Sequence, residues 1–332
     1  MKKAAFMMHP AFFYDVYSEE TRKKISEQVE VNLPLITEDN INDYTEELKT
    51  VEFVFTGWGA PRFDEALLNK MPALRVIYYA AGTVRQVVTP EVWRRGIRVT
   101  TASTINAIPV SQYTLATILF SLKNGWQLMR KVREEKTFKN GVFQPSRGIY
   151  QAKIGLVSLS SIGRDVAELL APFGVEIVAY DPYVTQEEAD RYNVTMVSLE
   201  EVFKESDIVS VHTPLLDATR HMIGYDLIAS MKELATLINT ARGAIIKEEE
   251  MIQVLQERPD LTAVLDVTDP EPPVEDSPLY TLDNVVLTPH IAGSVGGEKA
   301  RLGDSMFAEL ERFLASEQLD YEITEESYKN EA

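Results

Sequence analysis

One segment restricts this chain more than any other. Ile154-Gly155-Leu156-Val157 is a short apolar run of the kind that a strand buried on both faces needs. It passes through Ser158-Leu159-Ser160-Ser161-Ile162-Gly163 into a helical pattern over 162–171. A further apolar run over 175–180 then closes on Asp181-Pro182. Strand, tight loop, helix and a second strand ending on an acid is the layout of a nucleotide-binding βαβ unit. In that unit Ser161, Ile162 and Gly163 open the helix whose N-terminus faces a pyrophosphate, and Asp181 takes the ribose hydroxyls. A carboxylate at that strand end repels a 2′-phosphate, so Asp181 favours NAD over NADP.

The glycine fingerprint of such loops, Gly-x-Gly-x-x-Gly, is not intact. Ser158 and Ser160 occupy its first two glycine positions and only Gly163 remains. Each serine adds a Cβ where the backbone turns tightly or the pyrophosphate approaches, and each adds a hydroxyl able to donate to a phosphate. Two readings follow: an adapted cofactor loop, or a Rossmann-like fold with impaired cofactor binding.

The rest of the chain repeats the same alternation. Strands are expected at 4–8, 52–56, 74–79 and 98–101, with helices at 20–30 and 64–69. One long buried helix is expected from 106 to about 134. Further strands are expected at 208–211, 235–238, 262–265 and 285–287, and a last helix at 297–315. The acidic tail from Gln318 is expected to fray. The whole reads as α/β with parallel sheets. The chain has 332 residues, room for two domains, and it is 45% hydrophobic, so both can bury a core. Its 51 acidic and 33 basic residues give a net charge of −18, which argues against nucleic acid and anionic membrane surfaces as partners. No cysteine is present, which excludes disulfides, thiol catalysis and thiolate metal sites, and is compatible with a reducing cytoplasm. The opening apolar run stops at His9-Pro10, too early for a signal-peptide core or a membrane span, and no metal site is expected.

Three further motifs each follow an expected strand: Ile238-Asn239-Thr240-Ala241-Arg242-Gly243, Asp266-Val267-Thr268-Asp269-Pro270-Glu271-Pro272, and Leu287-Thr288-Pro289-His290-Ile291-Ala292-Gly293. Open α/β sheets place their binding loops there. Together they offer an arginine, carboxylates and a histidine, a set that suits a keto acid. Arginine grips a carboxylate with a bidentate fork, histidine exchanges a proton near neutral pH, and a carboxylate beside it stabilises the imidazolium. Glu271 and Asp269 compete for that last place. His212, in His212-Thr213-Pro214, either borders a cofactor or is structural. Trp58 either lines a cleft or packs a turn.

These motifs, with Leu74-Arg75-Val76-Ile77 before Gly82 and the stretch from Pro214-Leu215 to Thr219-Arg220, resemble the D-isomer-specific 2-hydroxyacid dehydrogenases over nearly the whole chain. The resemblance implies two Rossmann-like domains, the nucleotide domain (102–298) inserted in a substrate domain (1–101 and 299–332). It implies NAD as cofactor and hydride transfer between a small 2-keto acid and its D-2-hydroxy acid. Arg242 would bind and polarise the keto acid, His290 would be the general acid/base with Glu271 as its partner, and Asp266 would meet the nicotinamide carboxamide. Thr240, Ala241, His212, Thr213 and Pro214 would border the cofactor together with the 158–163 loop. Ala81, Gly82 and Thr83 would hold the substrate carboxylate, with Trp58 nearby and Arg85 as a second contact for a dicarboxylate. The family also implies a homodimer built on the long helix. The alternative is a catalytically weak nucleotide-sensing or interaction protein on the same fold, favoured by the serine loop.

Overall fold

Parallel sheets are almost always covered on both faces, and four short parallel strands lie in the first hundred or so residues. They are β1 (Ala4–Met7), β2 (Phe53–Thr56), β3 (Val76–Tyr79) and β4 (Arg98–Thr101), all parallel in that order. Alternate residues point to opposite faces. Met7, Val54 and Ile77 enter one buried cluster, and Phe6, Phe55 and Tyr78 enter the other. Helix Lys299–Leu314 covers the second face with Leu302, Met306 and Leu310. The computed structural model describes residues 1–136, 138 and 147–330. It divides the chain into two units, Met1–Ala107 with Ser294–Ala332, and Ile108–Gly293.

The second unit is a seven-stranded parallel sheet. Its strands are β5 (Lys153–Val157), β6 (Glu176–Tyr180), β7 (Val194–Met196), β8 (Ile208–Val211), β9 (Thr236–Asn239), β10 (Thr262–Leu265) and β11 (Val285–Leu287). The order is β11-β10-β9-β8-β5-β6-β7. The chain therefore moves outward from β5 in one direction and returns to β5's other side with β8. That reversal makes the β5/β8 boundary the topological switch point, where open sheets bind ligands beyond the strands' carboxyl ends. Strand β7 has only three residues and was not expected.

Three expectations fail for identifiable reasons. Over 318–330 the tail is structured rather than frayed. Residues Glu322–Ile323 form β12, antiparallel to β4, so the first unit's sheet is mixed rather than purely parallel. The carboxylate of Glu309, buried on helix Lys299–Leu314, accepts the backbone N–H groups of Asp320 (3.1 Å) and Tyr321 (3.2 Å), and Glu322 takes both ends of the Arg98 fork at 2.7 and 2.5 Å. Desolvation raises the pKa of Glu309, and those two backbone donors oppose it. The long helix is two helices, Ser103–Leu122 and Gly125–Glu135. Asn124 between them is left-handed (φ 54°), a conformation that asparagine tolerates and that ends a helix, and the turn is packed by Phe120 against Trp126. Helix Ser103–Leu122 is long and apolar enough to cross a bilayer by length and composition, and half of it is buried within the protein. Finally, Pro10–Val16 is a helix that the sequence reading passed over, with His9 as N-cap and Pro10 in the first turn.

Candidate active site

The register of the second sheet decides which residues meet at its carboxyl edge. Tyr180, Val157, Val211, Asn239, Leu265 and Leu287 are paired across β6, β5, β8, β9, β10 and β11. The residues one step beyond them are Asp181, Ser158, His212, Thr240, Asp266 and Thr288. Motifs scattered over more than a hundred positions of sequence thus form one row because parallel pairing puts them in register.

At the switch point the two loop serines do different things. Ser158 adopts φ 84°, the left-handed region in which a side chain is strained and glycine is not. Its hydroxyl donates to Asp181 Oδ2 at 2.9 Å. Ser160 has an ordinary φ of −59° and is the N-cap of helix Ser161–Leu170. Its oxygen accepts from Gly163 N–H and its hydroxyl donates to the His212 carbonyl at 2.9 Å. Each hydroxyl therefore already has a protein acceptor, the Asp181 carboxylate for Ser158 and the His212 carbonyl for Ser160. Gly163 has to be glycine: a Cβ there would lie 2.3 Å from the Ser158 carbonyl oxygen, so the helix sits directly on the loop.

His212 is 4% exposed, and among the described residues neither ring nitrogen has a hydrogen-bond partner. Thr213 beside it donates to the Val157 carbonyl at 3.0 Å. An orphaned imidazole, a carboxylate at Asp181 and the N–H groups of Ser161 and Ile162, which precede the first intrahelical bond, make a donor and acceptor set that fits a dinucleotide. Burial pushes the His212 pKa down from 6.5 to about 3. The unfolded chain therefore takes up a proton below about pH 6.5 that the folded chain refuses, and stability falls as pH drops from there toward 3. His212→Gln should remove this term, making the loss of stability between pH 7 and pH 5 smaller by about 2 kcal/mol, read from urea unfolding at each pH. An identical loss in both proteins would mean that the folded ring does take the proton.

The loops after β9, β10 and β11 carry the arginine, carboxylate and histidine. Asn239 braces the first of them from both sides, accepting from Ala241 N–H and donating to the Arg242 carbonyl, each at 3.0 Å. Arg242 is part-buried and donates to the Ala241 carbonyl at 2.6 Å. Burial lowers its pKa while the Glu271 charge opposes the shift, and a guanidinium stays protonated under both. A Cβ on Gly243 would stand 2.0 Å from the Thr268 backbone, so this glycine lets the second loop close onto the first. In that second loop the two candidate carboxylates separate. Glu271 Oε1 is 2.6 Å from His290 Nδ1, with both side chains roughly half exposed. Asp269 turns instead toward His221, at 3.7 Å.

Asp266 has a structural part in the histidine loop that its motif did not reveal. It is 2% exposed, its Oδ1 accepts from Thr288 Oγ1 (2.6 Å) and Ile291 N–H (2.9 Å), and its Oδ2 accepts from Ala292 N–H (2.8 Å). Its own carbonyl accepts from His290 N–H at 3.0 Å. Asp266 is thus the hub that shapes the histidine loop and holds His290 at φ 54°. Thr288 extends the chain to the Tyr113 hydroxyl at 2.8 Å, and Thr240 bonds Thr114 at 3.2 Å. Asn239, Thr288 and Tyr113 were given no role from sequence. The first two stand inside quoted motifs, where a polar residue at a strand end was the available signal.

In the first unit, the loop after β3 carries Ala81, Gly82 and Thr83. The Thr101 hydroxyl lies 3.0 Å from the Ala81 carbonyl and 2.6 Å from that of Gly82, which fixes the loop's backbone. Arg85 stacks over the Tyr328 ring, 5.4 Å from its centroid. Trp58 packs against Phe12 at 5.6 Å, and its carbonyl accepts from His9 N–H.

Comparison with known proteins agrees with this layout. Residues 115–292 match the family model described as D-isomer specific 2-hydroxyacid dehydrogenase, NAD binding domain. The D-3-phosphoglycerate dehydrogenase of Methanocaldococcus jannaschii is 31% identical over 310 residues, covering 91% of this chain and 57% of that protein. The hydroxypyruvate reductase of Thermotoga maritima is 32% identical over 243 residues, 71% of this chain and 78% of that one. This chain spans about half the length of the phosphoglycerate dehydrogenases it matches. In fold it is similar to a phosphoglycerate oxidoreductase from Rhizobium etli, with a TM-score of 0.83 at 20% identity over 98% of this chain and 99% of that one. A parallel sheet whose carboxyl edge carries the acid, arginine and histidine loops in this order, matched by that family model over more than half its length, places the chain in the D-isomer specific 2-hydroxyacid dehydrogenase family, with the NAD binding domain in its second unit.

Proposed function

We propose that this chain interconverts a small 2-keto acid and its D-2-hydroxy acid with NAD(H). The observation that carries the reading is the 2.6 Å contact between His290 and Glu271, on the loops after β11 and β10, the latter beside the Arg242 loop after β9. Bound NAD(H) would supply or accept the hydride at the substrate's C2. The remaining work falls to the chain's own groups. Arg242 grips the substrate carboxylate and polarises the keto group. His290 delivers a proton to the keto oxygen during reduction and removes it during oxidation. Glu271 holds the ring in place through Nδ1. Ala81, Gly82 and Thr83 are proposed contacts for the substrate carboxylate, in the unit read as the substrate domain. Asp181 supports NAD(H) over NADP(H). The lack of cysteine and the acidic balance support a cytoplasmic enzyme without nucleic-acid or membrane partners. Family likeness supports a homodimer, which sedimentation velocity would test.

The direct test is loss of NADH absorbance while the protein is offered a panel of 2-keto acids. No turnover with any of them, alongside measurable NADH binding, would favour the nucleotide-sensing alternative. Glu271→Gln gives a finer check. Loss of the charged partner 2.6 Å from the ring should lower kcat for reduction about tenfold, the value of one charge-assisted hydrogen bond, with NADH affinity nearly unchanged. An unchanged kcat would remove Glu271 from this role.

A further inference from the structure

The Ser158 hydroxyl is one of three protein donors to the Asp181 carboxylate. A carboxylate has about four acceptor positions, two on each oxygen. Three positions on Asp181 are filled: Oδ2 accepts from the Ser158 hydroxyl (2.9 Å) and Leu159 N–H (3.0 Å), and Oδ1 accepts from Tyr183 N–H (2.9 Å). A ribose presents two hydroxyls and finds one position open. Glycine at position 158 would leave two. The serine is also held in place by more than its side chain. Its N–H donates to the Tyr180 carbonyl at 2.8 Å, and its carbonyl lies beneath Gly163. The hydroxyl thus stays against Asp181 although φ is 84°.

We propose that Ser158 is a positioning residue that acts through Asp181, occupying one of its acceptor positions and so loosening the protein's grip on the adenosine ribose of NAD(H). This rests on the family's cofactor and on the ribose role of Asp181, and not on turnover. Binding measured without substrate therefore tests it separately from the keto-acid reaction.

Calorimetric titration with NADH and with ADP-ribose should show Ser158→Ala binding both about tenfold more tightly than the unaltered protein, the value of one charge-assisted hydrogen bond. Ser158→Gly should show at least the same gain and, with the left-handed strain relieved, a higher melting temperature. The gain should shrink to less than about twofold for an ADP-ribose analogue lacking the adenosine 2′- and 3′-hydroxyls. It should also vanish in an Asp181→Asn background, since a double-mutant cycle isolates the pair. A general repair of the loop would tighten every ligand equally and survive Asp181→Asn, and that result would overturn the proposal. So would unchanged or weaker NADH binding by Ser158→Ala, which would make the hydroxyl neutral or a direct ligand. Ser158→Gly adds no atoms and keeps the test available if the alanine variant folds poorly.

Discussion

His290→Gln should lower the rate of keto-acid reduction by roughly 10²–10⁴-fold, the usual worth of a positioned general acid. Glutamine keeps a polar group of similar reach but has no proton to give near neutral pH. Asp266 shapes the loop through the backbone N–H groups of His290, Ile291 and Ala292 and the Thr288 hydroxyl, none of which the substitution removes. The loop should therefore persist, and NADH titration should give nearly the wild-type affinity. The loss should appear in kcat. A variant that turns over within a few-fold of the wild type would show that the proton comes from elsewhere, and the proposed chemistry would fall.

Arg242→Lys should lower kcat/KM by roughly a hundredfold while keeping the positive charge. A guanidinium meets a carboxylate with a planar fork, whereas an ammonium offers a point charge, so the keto group would be bound without being aligned. Asn239 holds the loop through main-chain contacts that do not depend on the side chain at 242, so loss of fold does not explain the effect. NADH affinity should again change little. Equal turnover of every 2-keto acid by variant and wild type would remove Arg242 from the mechanism. The same panel tests Arg85. Its guanidinium lies over Tyr328 within its own unit, so a second contact to a dicarboxylate would compete with that stacking. Selective loss of dicarboxylate turnover in Arg85→Ala would show that the contact is made.

What could be read from sequence was the part fixed by period and position. The strands that carry the row from Asp181 to Thr288 are short apolar runs, and each chemical motif stands just past one of them, so parallel register alone brings the residues together. What could not be read depends on where a single side chain finds its partner. The resemblance gave Asp266 a nicotinamide contact, and nothing in the sequence showed that both its oxygens also accept from protein donors in the histidine loop. The serines of the loop looked equivalent, and only φ and the acceptors separate them. Strand β12 is only two residues long, and in β7 Thr195 interrupts the apolar run of the kind that marked the equally short β11. The break at Asn124 hid inside a run whose helical spacing continues on both sides.

The clasp at Glu309 also bears on the order in which the protein can be assembled at the ribosome. Four strands of the first unit are made before the second unit, but helix Lys299–Leu314 and β12 are made after it. Until they arrive, Phe6, Phe53, Phe55 and Tyr78 lack the cover of Leu302, Met306 and Leu310, and the edge of β4 lacks its partner. The second unit, Ile108–Gly293, is contiguous and needs nothing from beyond its own ends to pair its seven strands. Synthesis from the N-terminus therefore finishes the inserted unit while the host waits half-built, its apolar face and open edge exposed for the time needed to make nearly two hundred residues at about 5–20 per second. That interval, rather than the finished fold, is when this chain is most open to pairing with a neighbour, and it closes when the two backbone N–H groups reach Glu309.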